Sequence, residues 1–116
     1  MGFQGNVPIY VQIADNIKEQ VVLGTIPEGG KLDSLREYAV LYEVTVLTIQ
    51  RAMHLLEDEG VIQTRKGVGS FVVSNAAAYL ADRMVSQRVR EFVSGMKNMG
   101  IAGKSIIALI EEELER

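Results

Sequence analysis

The stretch from Val61 to Val73 constrains the fold of this chain most. Val61 to Thr64 reads as a strand, Arg65-Lys66-Gly67-Val68-Gly69 as a turn, and Ser70 to Val73 as the returning strand. β-branched residues on either side of a glycine-bearing turn specify a hairpin. An isolated two-stranded ribbon is at best marginally stable in water, so this one needs helices to pack against. Three helical patterns precede it and two follow it.

The first helix takes Pro8 at its start, a position where the missing N–H costs nothing. Ile9, Ile13, Ile17 and Val21 then recur every four residues until Gly24. Pro27-Glu28-Gly29-Gly30 is a turn cluster. Ser34 and Glu37 form a capping-box pattern for a second helix, whose apolar positions are Leu35, Tyr38, Ala39 and Tyr42. Thr45 caps a third helix carrying Ile49, Ala52, Met53 and Leu56, with Gly60 as its C-terminal stop. The short connection at Tyr42-Glu43-Val44 fits a helix-turn-helix.

After Asn75 the pattern becomes purely helical. Ala81, Met84, Val85, Val89, Phe92, Val93 and Met96 mark one broad apolar face, and Gly100 interrupts it. Ile106, Ile107, Ile110 and Leu114 mark a last helix. The expectation is a mainly α chain with a small β-hairpin. A winged helix-turn-helix domain spans residues 1–74, and a two-helix C-terminal dimerisation tail spans residues 75–116. Two helices alone bury little surface, so the tail must pack on the first domain, on another chain, or on both. Met84, Val85, Val89, Phe92, Met96, Ile106 and Ile110 are the candidate dimer interface.

Composition narrows the chemistry. The 116 residues contain no cysteine, which excludes disulfides, thiol catalysis and thiolate metal sites. The single histidine, His54, excludes a histidine-rich metal centre and a credible Ser-His-Asp set, and it reads as solvated. Neither metal, cofactor nor enzymatic activity is expected. Gly103-Lys104-Ser105 ends like a phosphate-binding loop, but Asn98 stands where the first glycine belongs and no strand precedes it. Glu57-Asp58-Glu59 reads as a solvated helix end. No apolar run approaches the roughly 18 residues needed to span a bilayer. Residues 1–6 lack the basic and hydrophobic stretches of a signal peptide, so a cytoplasmic location is expected.

The remaining candidates point to DNA. A recognition helix presents its N-terminal residues to base edges. Here these are Thr45, Val46, Leu47 and Thr48, followed by Gln50 and Arg51. The threonine hydroxyls suit phosphates, Gln50 suits adenine, and Arg51 suits guanine or phosphate. Val46 and Leu47 either touch thymine methyl groups or pack against the preceding helix. Arg36 sits in a first helical turn, where acids are usually favoured, so it takes either a phosphate or a neighbouring acid as partner. The wing offers Arg65 and Lys66 beside Gly67 and Gly69, a tip suited to a minor groove or flanking phosphates. Residues 1–73 nevertheless carry six cations against nine acids. Few neutralised phosphates predict a shallow salt dependence. The acidic balance keeps open an alternative, a winged helix devoted to protein contacts that has lost DNA binding. A small-molecule effector is compatible with this layout, but no residue pattern indicates one.

These motifs carry a family resemblance. Pro8-Ile9-Tyr10-Val11-Gln12-Ile13, Gly24 to Leu32 and Ser34-Leu35-Arg36-Glu37 resemble the GntR family of bacterial transcription regulators. So do Thr48-Ile49-Gln50-Arg51-Ala52, Glu59-Gly60-Val61-Ile62 and Arg65 to Val72. The short tail resembles the YtrA-like branch, which lacks a large effector domain and dimerises through its tail. The resemblance implies a sequence-specific repressor of a palindromic operator, often autoregulatory and linked to transporter genes. It also implies DNA contacts at Ser34, Arg36, Thr45, Thr48, Gln50, Arg51, Arg65, Gly67 and Gly69. The chain departs from the family pattern at Asp33, where proline is usual, at Glu43, where glycine is common, and at the apolar pair Val46-Leu47.

Overall fold

The computed structural model describes residues 2–116; Met1, part of the N-terminal stretch considered above, lies outside the described residues. The elements run α1 (Ile9–Leu23), α2 (Leu35–Tyr42), α3 (Val46–Asp58), β1 (Ile62–Arg65), β2 (Gly69–Val72), α4 (Ala76–Asn98) and α5 (Gly103–Leu114). This is the mainly helical, hairpin-bearing architecture of a winged helix-turn-helix with two further helices. The chain divides into two compact units, residues 1–80 and 81–116. The boundary expected at Asn75 coincides with the start of α4, but the first unit continues to Leu80, because Ala76 and Leu80 are both buried.

The core of the first unit forms where three helical stripes meet. Ile13, Ile17 and Val21 of α1 face Ile49, Ala52 and Leu56 of α3, and all six are essentially inaccessible to solvent. Burying an aliphatic side chain this completely contributes about 1.5–3 kcal/mol, so this stripe dominates the stability of the unit. Ile9 stands at the open end of the α1 stripe and is largely exposed. Tyr38 and Tyr42 complete the core from α2, their ring centroids 6.0 Å apart. Ala39, expected in the core, is only half-buried.

Polar ties fix the helices relative to one another. The Tyr42 hydroxyl donates to Asn16 Oδ1 at 2.6 Å, and Gln20 Nε2 donates to the same oxygen at 3.0 Å, joining α2 to α1. Lys18 of α1 forms an ion pair with Glu59, just beyond α3.

The hairpin pairs Ile62 with Val72 and Arg65 with Gly69. Each strand is therefore displaced by one residue from the expected bounds, and the loop shortens to Lys66-Gly67-Val68. Gly67 is the cause: its left-handed φ of 76° turns the chain early enough for Val68 N–H to reach Arg65 O at 3.0 Å. A third extended segment, residues 29–32, lines the other edge of β2. Gly29 N–H donates to Val72 O, Val72 N–H to Gly30 O and Leu32 N–H to Ser70 O, each at 2.9 Å, and Lys31 bridges Phe71.

In the second unit, α4 carries its apolar stripe along Met84, Val85, Val89, Phe92 and Met96. Lys97, in its last turn, complements the negative end of the helix dipole. Backbone bonds from Gly100 to Lys97 and from Ile101 to Met96 close the helix before α5 begins at Gly103. Among the described residues no helix is long and apolar enough to cross a membrane.

Candidate nucleic-acid interface

The start of α3 is built by its cap. Thr45 is extended, and its Oγ1 accepts from Thr48 N–H at 3.3 Å. The two hydroxyls lie 3.1 Å apart. One donates to the other, which leaves one hydroxyl hydrogen for an outside acceptor. Val46 and Leu47 are 38% and 57% exposed, so each leaves part of its side chain in solvent. Gln50 and Arg51 are exposed on the next turn.

At the start of α2 the capping box forms as expected. Ser34 Oγ accepts from Glu37 N–H, and Ser34 N–H donates to Glu37 Oε1, both at 3.1 Å. The Ser34 backbone bond holds the Glu37 carboxyl below the usual carboxylate range. Glu37 is thereby engaged by the cap. Arg36, exposed beside it, pairs with no acid among the described residues.

The wing stands beside α3. Arg65 lies over the Phe71 ring with its guanidinium carbon 4.8 Å from the centroid, a cation–π contact that restricts where the charge can point. Thr64 Oγ1 donates to Glu57 Oε2 of α3 at 3.1 Å and lies 3.1 Å from Ser70 Oγ. A groove of about 810 Å³ opens between the start of α2, the middle of α3 and the wing; Ser34, Gln50, His54, Arg65 and Ser70 are among its lining.

The acids Glu57, Asp58 and Glu59 are exposed, as expected, but two of them also have tertiary partners. Glu57 holds the wing through Thr64, and Glu59 holds α1 through Lys18. Both partners are distant in sequence, so no local pattern announces them. Thr64 and Phe71 were likewise not singled out. Their signal is the register of the hairpin, which sets Thr64 opposite Ser70 and Gln63 opposite Phe71.

The cations separate by role. Lys18 pairs with Asp15 at 3.6 Å and with Glu59. Arg36, Arg51, Arg65 and Lys66, like Lys31, find no carboxylate within ion-pair distance among the described residues, and the first four lie on the elements expected to meet DNA. These four belong to the start of α2, the recognition helix and the wing.

In the tail, Val85, Val89, Phe92 and Ile110 are 60%, 56%, 45% and 39% exposed, while Met84 and Met96 are half-buried. Ile106 differs from these, being only 5% exposed within its own chain. Gly103-Lys104-Ser105 is the opening of α5, with no strand before it.

A helix-turn-helix with an arginine-bearing wing defines a DNA-binding winged helix. Residues 9–72 match the model of the bacterial regulatory proteins of the gntR family. The chain belongs to that family and is a DNA-binding transcription regulator. It is 36% identical over 107 residues to the uncharacterized HTH-type transcriptional regulator YhcF of Bacillus subtilis, covering 90% of this chain and 88% of that one. It is 29% identical over 112 residues to the HTH-type transcriptional repressor YtrA of the same organism, covering 94% and 86%. A GntR family transcriptional regulator from Listeria monocytogenes superposes with a TM-score of 0.87 at 36% identity, over 95% of this chain and 98% of that one. The DNA-binding domain of AraR, solved in complex with operator ORX1, superposes with a TM-score of 0.59 at 27% identity, over 62% of this chain and 93% of that one.

Proposed function

We propose that this regulator acts in the cytoplasm as a homodimeric repressor of a palindromic operator. The observation that carries this reading is the exposed apolar stripe Val85–Val89–Phe92 on α4, spaced four and three residues apart on one helical face. A stripe of this kind left in water favours self-association. A two-fold pair of chains presents two recognition helices, and a half-site spacing of about 34 Å matches one helical turn of DNA. Repression is the role named for the relative YtrA.

On this reading Arg51, Gln50 and the apolar pair Val46-Leu47 meet base edges. Ser34, Arg36, Thr45 and Thr48 hold phosphates, and Arg65 and Lys66 enter the flanking groove with Gly67 and Gly69 shaping the tip. The lack of a carboxylate partner for Arg36, Arg51, Arg65 and Lys66 among the described residues supports this assignment. No small-molecule effector is needed for it.

The test is site selection from a random duplex pool, followed by anisotropy titration and sedimentation on the enriched duplex. An inverted repeat bound by two chains supports the proposal. An asymmetric site bound by one chain contradicts it. Transcription from a reporter carrying the enriched site must then fall when the protein is supplied; a rise contradicts the repressor role.

A further inference from the structure

Lys31 lies outside both helices of the helix-turn-helix, yet its side chain belongs to the wing. Its backbone bridges Phe71, and Arg65 pairs with Gly69 one step along the same ladder. Directly opposed residues share a sheet face, as do residues two apart on one strand. Lys31, Phe71, Gly69 and Arg65 therefore share one face. Thr64 and Ser70 occupy the other, the face that bonds Glu57 of α3.

Gly69 is where the two cations converge. Its φ of 144° disfavours any side chain, and a Cβ there would meet Lys31 Cε at 2.6 Å. The lysine stem thus fills the space over this glycine. Arg65, opposite Gly69, is steadied by the Phe71 ring. Two like charges share one small face, and no carboxylate among the described residues comes within ion-pair distance of either, Glu37 being the acid that feels Lys31 at longer range. An anion is the partner that relieves this arrangement.

We infer that Lys31 and Arg65 together seat a DNA phosphate on the wing. The inference rests on the DNA-binding reading and adds Lys31 to it. Gly69 then serves two ends, turning the wing and admitting the lysine stem.

The test uses a fluorescein-labelled duplex enriched by the wild-type protein, titrated at several salt concentrations. Lys31→Met keeps an unbranched stem over Gly69 but removes the charge. It is expected to bind several-fold more weakly, with a log–log salt slope shallower by about 0.9, and Lys31→Arg restores the slope. The thermal midpoint of Lys31→Met stays at the wild-type value. An unchanged slope in Lys31→Met overturns the inference, even if affinity falls, because Lys31 then acts through wing shape alone. A wild-type protein that enriches and binds no duplex overturns the DNA-binding reading itself, so the two failures are distinct.

Discussion

Thr64 of the wing donates its hydroxyl hydrogen to the Glu57 carboxylate of the recognition helix at 3.1 Å. The bond couples the two elements proposed to meet DNA and ties the wing to α3. Thr64→Val removes the donor and keeps the branched shape. It is expected to cost about 0.5–1.5 kcal/mol. Hydrogen exchange across residues 62–72 should accelerate while that of α1 stays as in the wild type. Unchanged exchange in the wing means that the bond is not what holds it.

Glu43 ends α2 in the left-handed conformation, with φ 57° and ψ 48°. A residue with a Cβ pays roughly 1–2 kcal/mol there, and the greater chain entropy of glycine returns about 0.5–1 kcal/mol of that. Glu43→Gly should therefore stabilise the fold by roughly 0.5–1 kcal/mol, read as a higher urea midpoint at unchanged slope. It also removes an acid from the helix-turn-helix. A lower midpoint contradicts the strain argument.

Burial pushes the Tyr38 phenol up to about 12, an effect partly offset by a hydrogen bond from the Asp33 backbone. Tyr42 shifts in the same direction, also through burial. For a group whose folded pKa lies above its unfolded value, the stability contribution is complete below the unfolded pKa and is lost as pH rises through the folded one. Stability should therefore decline between pH 10 and pH 12. Tyr38→Phe should decline less steeply over that interval, with Tyr42 accounting for part of what remains. Equal declines in the two proteins remove Tyr38 from the account.

The dimer proposal makes its own demand on the tail. Phe92 is the largest member of the exposed α4 stripe, at 45% exposure. Phe92→Glu should convert the protein to monomers by sedimentation while the winged helix stays folded. Loss of bivalent binding then weakens operator affinity by roughly 10²-fold or more. A variant that remains dimeric places the interface elsewhere.

What the sequence disclosed and what it withheld divide along the range of the interactions. The Ser34–Glu37 box and the Thr45 cap were legible because each is closed within one helical turn. The core stripes on α1 and α3 were legible because helical periodicity exposes them. The wing is visible as a hairpin in its true register, with Thr64 opposite Ser70, but its strands reach one residue further towards the tip than expected, because a left-handed Gly67 shortens the loop. Two contacts on this ladder stay hidden, Arg65 over Phe71 and Lys31 beside Gly69, because one depends on a rotamer and the other on a third segment that joins β2 only in the tertiary fold. Glu57 and Glu59 looked solvated because their partners, Thr64 and Lys18, arrive only with the tertiary fold. The burial of Ile106 within its own chain was equally hidden, since an apolar helix position reads the same whether its cover comes from within or from a second copy.

On the proposed reading, the starts of α2 and α3 carry DNA contacts through Arg36 and Arg51. This assignment is tested most directly by titrating the enriched duplex with wild type, Arg36→Ala and Arg51→Ala, with the oligomeric state of each checked by sedimentation. Loss of a specific arginine contact costs about 1–3 kcal/mol, so affinity should fall roughly 5- to 150-fold for Arg51→Ala. It should fall more modestly, and evenly across sequences, for Arg36→Ala, with both variants assembling as the wild type does. Wild-type affinity in both variants contradicts the assignment of this surface to DNA.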